Sequence, residues 1–322
     1  DEAPTITQAD VASGTSPYTS GFRKSLKIQN GNQTSGAGAA DEMSLLYSFE
    51  GQDLANSGWD VASASSNVTL SFWVKSSVSQ QFQVNLRLYG PSDANQREFA
   101  FEYTPSADTW TKVTKTIPGH ASNTLRGDTS TGMYIQFMQF YGTNYTASGR
   151  NFDTWEAKNN NQNLKDFTST WYTTNDATWE ITGLQLEVGE VATPFKHESF
   201  ADNLARCQRY YSEVGFGSYG TVCVGQYTFN PSTTMGTTLL GPVGGGKKMR
   251  ATPTMTLSSA ASNIATGATD GSTTALTALA IRSHGEGGVV QLQATAGSAF
   301  GADDIQLRTG ASGIVFEFDA EL

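Results

Sequence analysis

Side chains in the first 190 residues alternate between apolar and polar character, and clusters of Gly, Asn, Ser and Asp separate the alternating stretches. A period of two is typical of β-strands, because successive side chains point to opposite faces of a sheet. The alternation predicts eight strands without helices between them, at residues 25–30, 43–54, 68–77, 82–90, 97–104, 109–117, 132–142 and 178–188. Eight such strands predict an all-β fold, a jelly-roll β-sandwich.

The alternation also predicts which side chains form the core. Apolar residues share one face in three of these strands, and we expect that face to be buried. The predicted core residues are Met43, Leu45, Tyr47 and Phe49; Leu70, Phe72 and Val74; and Phe99, Phe101 and Tyr103.

The alternating pattern ends after the predicted strand at 132–142, and an Asn-rich stretch continues from there to Thr178. This stretch carries four aromatic residues: Tyr145, Trp155, Trp171 and Tyr172. It is longer than the roughly 12–15 residues usual for a loop without structure of its own. We expect it to be functional or partly ordered.

A capping-box pattern, Ser199 followed by Asp202, predicts the start of a helix shortly after Pro194. The residues at helical spacing behind it are Leu204, Cys207 and Tyr211. The chain is therefore predicted to form three parts: a jelly roll at 1–197, a short linking helix at 198–214 and a second, smaller β-sandwich-like domain at 215–322.

The last part has a second β pattern, with strands predicted at 221–229, 237–243, 252–258, 275–282, 288–295 and 313–322. These strands are rich in Ala, Gly, Ser and Thr. Such side chains bury little apolar surface, so the core is thin. We expect this domain to be stable only as an oligomer.

Composition excludes several classes of protein. The formal net charge is −10, whereas nucleic-acid binding needs a basic surface. No apolar run reaches the roughly 18 residues of a membrane helix, so no membrane insertion is expected. Two cysteines, Cys207 and Cys223, are too few for a disulfide scaffold, and their spacing leaves open whether they pair. Because the chain begins at Asp1 without a leader pattern, we expect a fragment or a processed product.

Four strings of the sequence point to a known family: SLLYSFEGQDLA, NVTLSFWVKSS, WEITGLQLEVGEVATPFKHESFADNLARCQRYY and KKMRATPTMTL. Together they resemble a family of tailed-phage virion proteins, the tail-fibre and minor tail components found especially in marine phages. The resemblance spans nearly the whole chain. Family members usually carry a further region upstream of the segment that matches residues 5–8, which fits a distal fragment.

The resemblance implies a carbohydrate-binding jelly roll, followed by the CQRYY helix and a terminal β domain. It implies a place on the virion, contacts with other tail proteins, and a homotrimer. Jelly rolls of this type often hold a structural calcium, for which Glu50, Asp53 or Glu187 are candidates by resemblance; the alternative is that these carboxylates are solvated surface groups.

Motifs for cofactors and catalysis have simpler interpretations. Gly215, Gly217 and Gly220 form G-x-G-x-x-G, but the motif follows a helix and enters a β pattern, the reverse of a dinucleotide site. The stretch 241–248, GPVGGGKK, resembles a phosphate loop but has Lys248 in place of Ser or Thr and no helix after it. We therefore predict no cofactor.

Metal and catalytic signals are equally weak. His120, His197 and His284 lie far apart, and G-x-S-x-G is absent from the sequence. Glycan hydrolysis needs two carboxylates that face each other, whereas the adjacent Asp303 and Asp304 would point to opposite faces of a strand. The sequence predicts that the protein is not an enzyme.

The strongest binding signal is an aromatic residue on the polar face of a strand, because a flat ring stacks on the apolar face of a sugar. Trp73 has that position, and the predicted groove around it is lined by Gln83, Asn85, Arg87 and Gln136. The alternative is that Trp73 packs beneath the Asn-rich stretch. Trp155, Trp171 and Tyr172, with Tyr145, are further candidates, or else they seal the end of the sandwich or meet a neighbouring subunit.

Three functions follow as hypotheses. The leading one is a phage virion appendage, a tail fibre or tail-associated adhesin, that recognises a host-surface glycan. The alternative is an architectural decoration of the tail or capsid that binds no receptor. A glycan depolymerase is disfavoured, because the sequence has no repeat of about 20–50 residues that would form a solenoid.

Overall fold

The computed structural model describes residues 1–92, 95–159, 164–216, 221–225, 234–239, 243–246, 248–268, 276–284, 288–296, 304–309 and 314–321. The chain divides into two compact units, residues 1–196 and 197–321. Both consist mainly of antiparallel strands, which confirms the predicted all-β class.

The first unit contains ten strands and three short helices. The strands are β1 (Thr5–Asp10), β2 (Lys24–Gln29), β3 (Glu42–Glu50), β4 (Asn67–Ser76), β5 (Phe82–Leu88), β6 (Arg97–Tyr103), β7 (Thr111–Pro118), β8 (Thr131–Tyr141), β9 (Trp155–Ala157) and β10 (Thr178–Val188). The helices are α1 (Ser16–Thr19), α2 (Gly51–Ala55) and α3 (Thr170–Thr173).

These strands form two five-stranded antiparallel sheets. The first sheet has the order β1-β2-β10-β4-β7, and the second has the order β3-β8-β5-β6-β9. The eight predicted strands supply four to each sheet, in the order of a jelly roll, so that prediction is confirmed. The two additional strands, β1 and β9, lie at sheet edges. The pattern missed β1 because its side chains are almost all exposed, and β9 because it has only three residues.

The core lies between the two sheets. Leu70, Phe72 and Val74 of β4 are buried there, and Phe72 packs edge-on against Phe137 with ring centroids 5.1 Å apart. The predicted core residues of β6, Phe99, Phe101 and Tyr103, are also buried. Trp179 is fully buried and donates a hydrogen bond to the Tyr103 hydroxyl at 3.0 Å, so the polar atoms of this aromatic core are satisfied.

The prediction for residues 43–54 is wrong in two respects: the C-terminal end of the strand, and the burial of Tyr47. The strand ends at Glu50, and Gly51 begins α2, so the expectation of no helical insert fails as well. A Cβ on Gly51 would lie 2.4 Å from the Arg126 carbonyl, so a chain with a side chain there would not fit. Tyr47 is 54% exposed because β3 is the edge strand of its sheet, whereas Met43, Leu45 and Phe49 are partly buried against the core.

The second unit contains one α-helix, α4 (Phe200–Cys207), and nine strands among its described residues. The strands are β11 (Tyr211–Phe216), β12 (Thr221–Gly225), β13 (Thr234–Leu239), β14 (Thr254–Leu257), β15 (Ile264–Ala268), β16 (Leu276–His284), β17 (Val290–Ala296), β18 (Asp304–Thr309) and β19 (Ile314–Asp319). They form a sheet with the order β11-β19-β14 and another with the order β15-β18-β12-β13-β17-β16. The sequence pattern found six of these strands and missed β11, β15 and β18.

The linking helix is shorter than predicted. Its start is confirmed, because the Ser199 hydroxyl accepts a hydrogen bond from the backbone N–H of Asp202 at 3.2 Å. It ends at Cys207, and Tyr211 belongs to β11, where it pairs with Asp319 of β19. The ladder to β19 therefore overrides the helical spacing that included Tyr211.

The described core of the second unit contains few large side chains. Phe316 and Phe318 stack with centroids 6.4 Å apart, and smaller residues such as Val290, Leu292 and Ala294 complete the packing. The dependence of this unit on assembly stays a prediction. No helix in the described ranges is both long and apolar enough to cross a membrane.

Candidate functional site

Two rows of side chains cross the outer face of the first sheet, on the side away from the core. The strand register places Lys27, Glu180 and Lys75 side by side in one row, and Thr182, Trp73 and Lys112 in the next. Trp110 precedes β7 by one residue and extends the first row beyond Lys75. We call this surface the tryptophan platform and define it as Lys27, Trp73, Lys75, Trp110, Lys112, Glu180 and Thr182.

The two platform tryptophans are the least buried of the chain. Trp73 and Trp110 are half-buried, whereas Trp59, Trp155, Trp171 and Trp179, the remaining four of the six, are buried. A large aromatic side chain usually lies in a core, because its burial contributes strongly to stability. Two partly open indoles on one sheet face therefore mark a surface suited to binding.

An ion pair within the platform restricts the position of Trp110. Lys75 Nζ lies 2.8 Å from Glu180 Oε1 and 5.2 Å from the ring centroid of Trp110. The Ser25 hydroxyl donates to Glu180 Oε2 at 2.8 Å, so both oxygens of this buried carboxylate have partners. The lysine stacks on Trp110 while it neutralises Glu180, and both contacts restrict the indole.

A β-bulge bounds one side of the platform. The register between β10 and β4 shifts from Thr182 to Gln185. Gly183 adopts φ +62, and a Cβ on it would lie 2.5 Å from the Phe22 ring. Phe22 packs edge-on against Phe195 at 4.8 Å, so these two rings form a wall next to the bulge. A residue with a side chain at position 183 would displace that wall.

A second part of the outer face of the first sheet is covered by the chain itself, through residues 189–196. The Thr69 hydroxyl donates to the Gly189 carbonyl at 2.7 Å, and Thr193 donates to both oxygens of Glu187 at 2.7 Å. Burial alone would raise the pKa of Glu187, but the hydrogen bonds from Thr193 and Gln185 outweigh it and hold the pKa below its ordinary value. The platform lies outside the part of the face that this segment covers.

The outer face of the second sheet is polar, and it is sealed around Glu98. Arg87 Nε donates to Glu98 Oε1 at 2.7 Å, and Arg150 Nη2 lies 3.0 Å from the other oxygen of the fully buried Glu98. Arg150 Nε also lies 2.7 Å from Glu156, so the four charges balance. Burial lowers the pKa of Arg87, but the Glu98 carboxylate outweighs burial and keeps that pKa above its ordinary value.

Residues 142–159 and 164–169, between β8 and α3, form this seal. Gln83 donates to the carbonyl of Lys165 at 2.9 Å, and Arg150 belongs to the same segment. Gln83 and Asn85 are buried beneath it. Gln136 is half-buried and donates to the Ser44 hydroxyl at 2.9 Å and to the Tyr141 hydroxyl at 2.6 Å.

The single predicted groove is therefore wrong. Trp73 lies on the first sheet, whereas Gln83, Asn85, Arg87 and Gln136 lie on the second. β4 and β5 are consecutive in sequence, but the connection between them passes from one sheet to the other, as in any jelly roll. The predicted groove requires β4 and β5 to be neighbours in one sheet, and they are not.

The aromatic residues predicted in the Asn-rich stretch seal the sandwich. Trp171 is fully buried and donates to the Thr178 carbonyl at 3.0 Å, and Tyr172 stacks on Phe140 at 4.6 Å. Trp155 packs against Phe99 at 5.5 Å. Their rings offer little open surface, so a direct role in binding does not fit them. Tyr145 is half-buried beside Tyr141.

Sequence reasoning missed Trp110. A partial signal was present, because Lys112, Thr114 and Thr116 lie on one face of β7 and Trp110 continues that spacing, while Val113 and Ile117 have the opposite parity. Trp110 was placed inside a predicted strand, but its pairing opposite β4 was not foreseen.

The remaining candidates form no further site among the described residues. Glu50 and Asp53 lie at the end of β3 and in α2, whereas Glu187 lies on the other sheet, and no group of three or more His, Cys, Asp or Glu side chains in the described ranges is arranged to hold a metal ion. Glu50, Asp53 and Glu187 therefore do not come together to hold one calcium ion.

Several predicted features fall outside the described part. Gly217 and Gly220 of the first glycine motif, Gly241 of the second, and Asp303 lie outside the described residues, as do the side chains of Cys223 and His284. Cys207 is an exposed free thiol 3.7 Å from the Asn203 side-chain oxygen.

No family model matches the chain, and no curated protein matches it. Solved structures similar to it include the enzymatically active domain of tailspike protein 4 of bacteriophage CBA120, at 8% identity and a TM-score of 0.33, with 59% of this chain and 18% of that chain covered. The chain thus spans less than a fifth of that tailspike chain.

Carbohydrate-binding modules are also among the similar structures. A family 16 module has 10% identity and a TM-score of 0.26, with 52% of this chain and 77% of that one covered. The family 11 module of a cellulosomal cellulase from Clostridium thermocellum has 12% identity and a TM-score of 0.29, with 60% and 88% covered.

Proposed function

We propose that the protein is a non-enzymatic glycan-recognition component of a phage virion appendage, and that the tryptophan platform is its binding face. The observation that carries the proposal is the placement of the two half-buried tryptophans, Trp73 and Trp110, on one open sheet face. Sugar rings expose flat C–H faces that stack on indoles, while their hydroxyls bond neighbouring polar groups.

The platform supplies both kinds of contact. Trp73 lies between Lys112 and Thr182 in the sheet, and Trp110 lies beside Lys75. Trp73 lies on β4 and Trp110 directly precedes β7, so the sheet holds the backbone at or next to each indole. A shallow, open face of this type suits an internal stretch of a polysaccharide chain.

The chemistry of the platform supports binding without cleavage. Hydrolysis of a glycosidic bond uses two carboxyl groups roughly 5–9.5 Å apart, one on each side of the bond. The platform has one carboxylate, Glu180, which is buried and bound by Lys75 and Ser25. It is therefore not placed to donate a proton to a bound sugar.

Assembly of three copies, together with other tail proteins, completes the proposal. A single platform is small, and several copies raise the effective concentration without any new contact. Phe200 is 81% exposed and Leu204 is 42% exposed on the same helix, which supports burial of this helix by another chain. Light scattering on the purified chain tests the number of copies.

Affinity electrophoresis in gels that contain bacterial surface polysaccharides tests the binding function. We expect Trp73→Ala and Trp110→Ala each to weaken retardation by about tenfold in dissociation constant, about 1.4 kcal/mol. Tyr47→Ala is the matched control, since it removes an exposed aromatic residue from the other sheet. Equal binding by all three variants, or retardation by no polysaccharide, would contradict the proposal and favour an architectural role.

A further inference from the structure

The tryptophan platform is basic in a protein that is strongly acidic. Its two rows contain three lysines, Lys27, Lys75 and Lys112, and one carboxylate, Glu180, whereas the whole chain carries a formal net charge of −10. Charge on a binding face selects partners of opposite sign. The positive charge of the platform is therefore opposite in sign to the net charge of the chain.

The excess charge lies on two of the three lysines. Lys75 is neutralised by Glu180 at 2.8 Å. Neither Lys27 nor Lys112 forms an ion pair with a described residue, and Lys112 is exposed. Each of these ammonium groups is free to bind an anion on a ligand.

One acidic group on this face, Glu187, is already hydrogen-bonded. It accepts hydrogen bonds from Thr193 and Gln185, and its carboxylate also attracts Lys112. Glu187 therefore has less capacity to compete for Lys112 than a free carboxylate would have. An incoming anion meets Lys27 without an ion pair among the described residues, and meets Lys112 with its charge only partly compensated.

The two lysines lie on opposite sides of Trp73 in the sheet. Lys112 is the direct cross-strand partner of Trp73, a position that brings Cβ atoms within about 4.5–5.5 Å. Lys27 lies on β2, and three strand spacings separate β2 from β7, or about 14 Å across the sheet. A sugar stacked on Trp73 therefore places its ring substituents beside Lys112, while the chain on either side extends toward Lys27.

We propose that the platform binds an acidic polysaccharide, with a sugar ring on Trp73 and ring-borne anionic groups bound by Lys112 and Lys27. This inference rests on the proposed glycan-binding function and specifies its ligand class. Carboxylate and sulfate groups share the required chemistry. Because the lysines are near the surface, salt screens their contribution, while stacking on the indoles is retained.

The test uses the full chain and two pairs of matched probes. Polygalacturonate and its fully methyl-esterified form share the same sugar rings and differ in charge, and dextran sulfate and dextran form the corresponding sulfate pair. We expect an anionic member to bind at least about fivefold more tightly than its neutral partner, and 0.5 M NaCl to remove most of that difference. The member that binds identifies the preferred anion.

Matched variants locate the effect. Lys112→Gln and Lys27→Gln should each weaken binding of the anionic probe about twofold to fivefold, without change for the neutral probe. Lys158→Gln removes the same charge from the segment over the other sheet and should leave binding unchanged. Circular dichroism confirms that the variants are folded.

Two results would overturn the inference in different ways. Equal binding of charged and neutral probes, or equal effects of Lys112→Gln and Lys158→Gln, would show that the ligand is not selected by charge, and the glycan-binding function would stand. Absence of binding to all four probes, with Trp73→Ala also without effect on host polysaccharide, would overturn both the inference and the proposed function.

Discussion

The two outer faces of the first unit both carry alternating polar side chains, yet they have opposite roles. On the second sheet, Glu98 and Arg87 form a balanced ion cluster with Arg150 and Glu156, which belong to the segment between β8 and α3. On the first sheet, residues 189–196 cover only part of the face, and Trp73 and Trp110 stay partly open. The comparison shows that polar character marks the face of a strand away from the core, but that the covering segments decide which polar face is a surface.

The difference has an energetic basis. A buried charge is tolerated only with partners, and Glu98 has them. A ligand that reached this face would have to break those ion pairs before it formed any contact. On the platform, Lys75 neutralises the one carboxylate, Glu180. The indoles, Lys27 and Lys112 therefore stay accessible to a ligand.

The largest expected difference in stability is between two tryptophans, one buried in the core and one on the platform. Trp171 is fully buried, so Trp171→Ala should lower the free energy of unfolding of the first unit by about 3–5 kcal/mol through lost burial and a cavity. Trp73→Ala should lower it by less than about 1 kcal/mol, since its ring is partly open. Urea unfolding followed by far-ultraviolet circular dichroism measures both. Equal losses would mean that Trp73 is a core residue.

The ion cluster gives the next largest expected effect. Glu98→Gln leaves Arg87 and Arg150 without their shared carboxylate and should destabilise the unit by about 3 kcal/mol. Glu102→Gln is the matched control on the same face of β6, where the side chain is exposed, and should change stability by less than about 0.5 kcal/mol. If Glu98→Gln behaves like its control, the second face is not sealed as described.

The smallest expected effect is a pH-dependent loosening of the covering segment 189–196. The folded-state pKa of Glu187 is depressed, so its stabilisation is present above the unfolded value of about 4.3 and is lost as the pH falls through the lower folded value. We expect exchange of the Thr193 amide hydrogen to speed up by about twofold below that pH, after correction for intrinsic rates. Glu187→Gln should abolish the pH dependence; exchange that is independent of pH in the unsubstituted protein would contradict the assignment.

The sequence predicted the fold of the first unit well, because the alternation of residues such as Leu70, Phe72 and Val74 reflects burial on one sheet face. It failed at edges: Tyr47 alternates with core residues but lies on an edge strand, and β1 has little apolar pattern to detect. Tyr211 has helical spacing but pairs with β19. In each case tertiary pairing decides, and local spacing does not record it.

The candidate site was predicted only in part. Trp73 was identified from its position opposite the core, but the sheet that contains β5 was not known, so Gln83, Asn85 and Arg87 were assigned to the wrong face. Trp110 was missed because its pairing beside Lys75 depends on the register between β4 and β7. Sequence alternation gives the face of each strand, whereas a site also requires the order of the strands and the course of the covering segments.

Hydroxyl-radical footprinting of the tryptophans, with and without a retarding polysaccharide, tests the central claim most directly. The account predicts that Trp73 and Trp110 are oxidised in the free protein and protected by the ligand, while Trp171 and Trp179 react slowly in both states. Protection of Tyr47 or Tyr141 on the second sheet, with Trp73 and Trp110 still reactive, would contradict it and place the binding face on the other side of the sandwich.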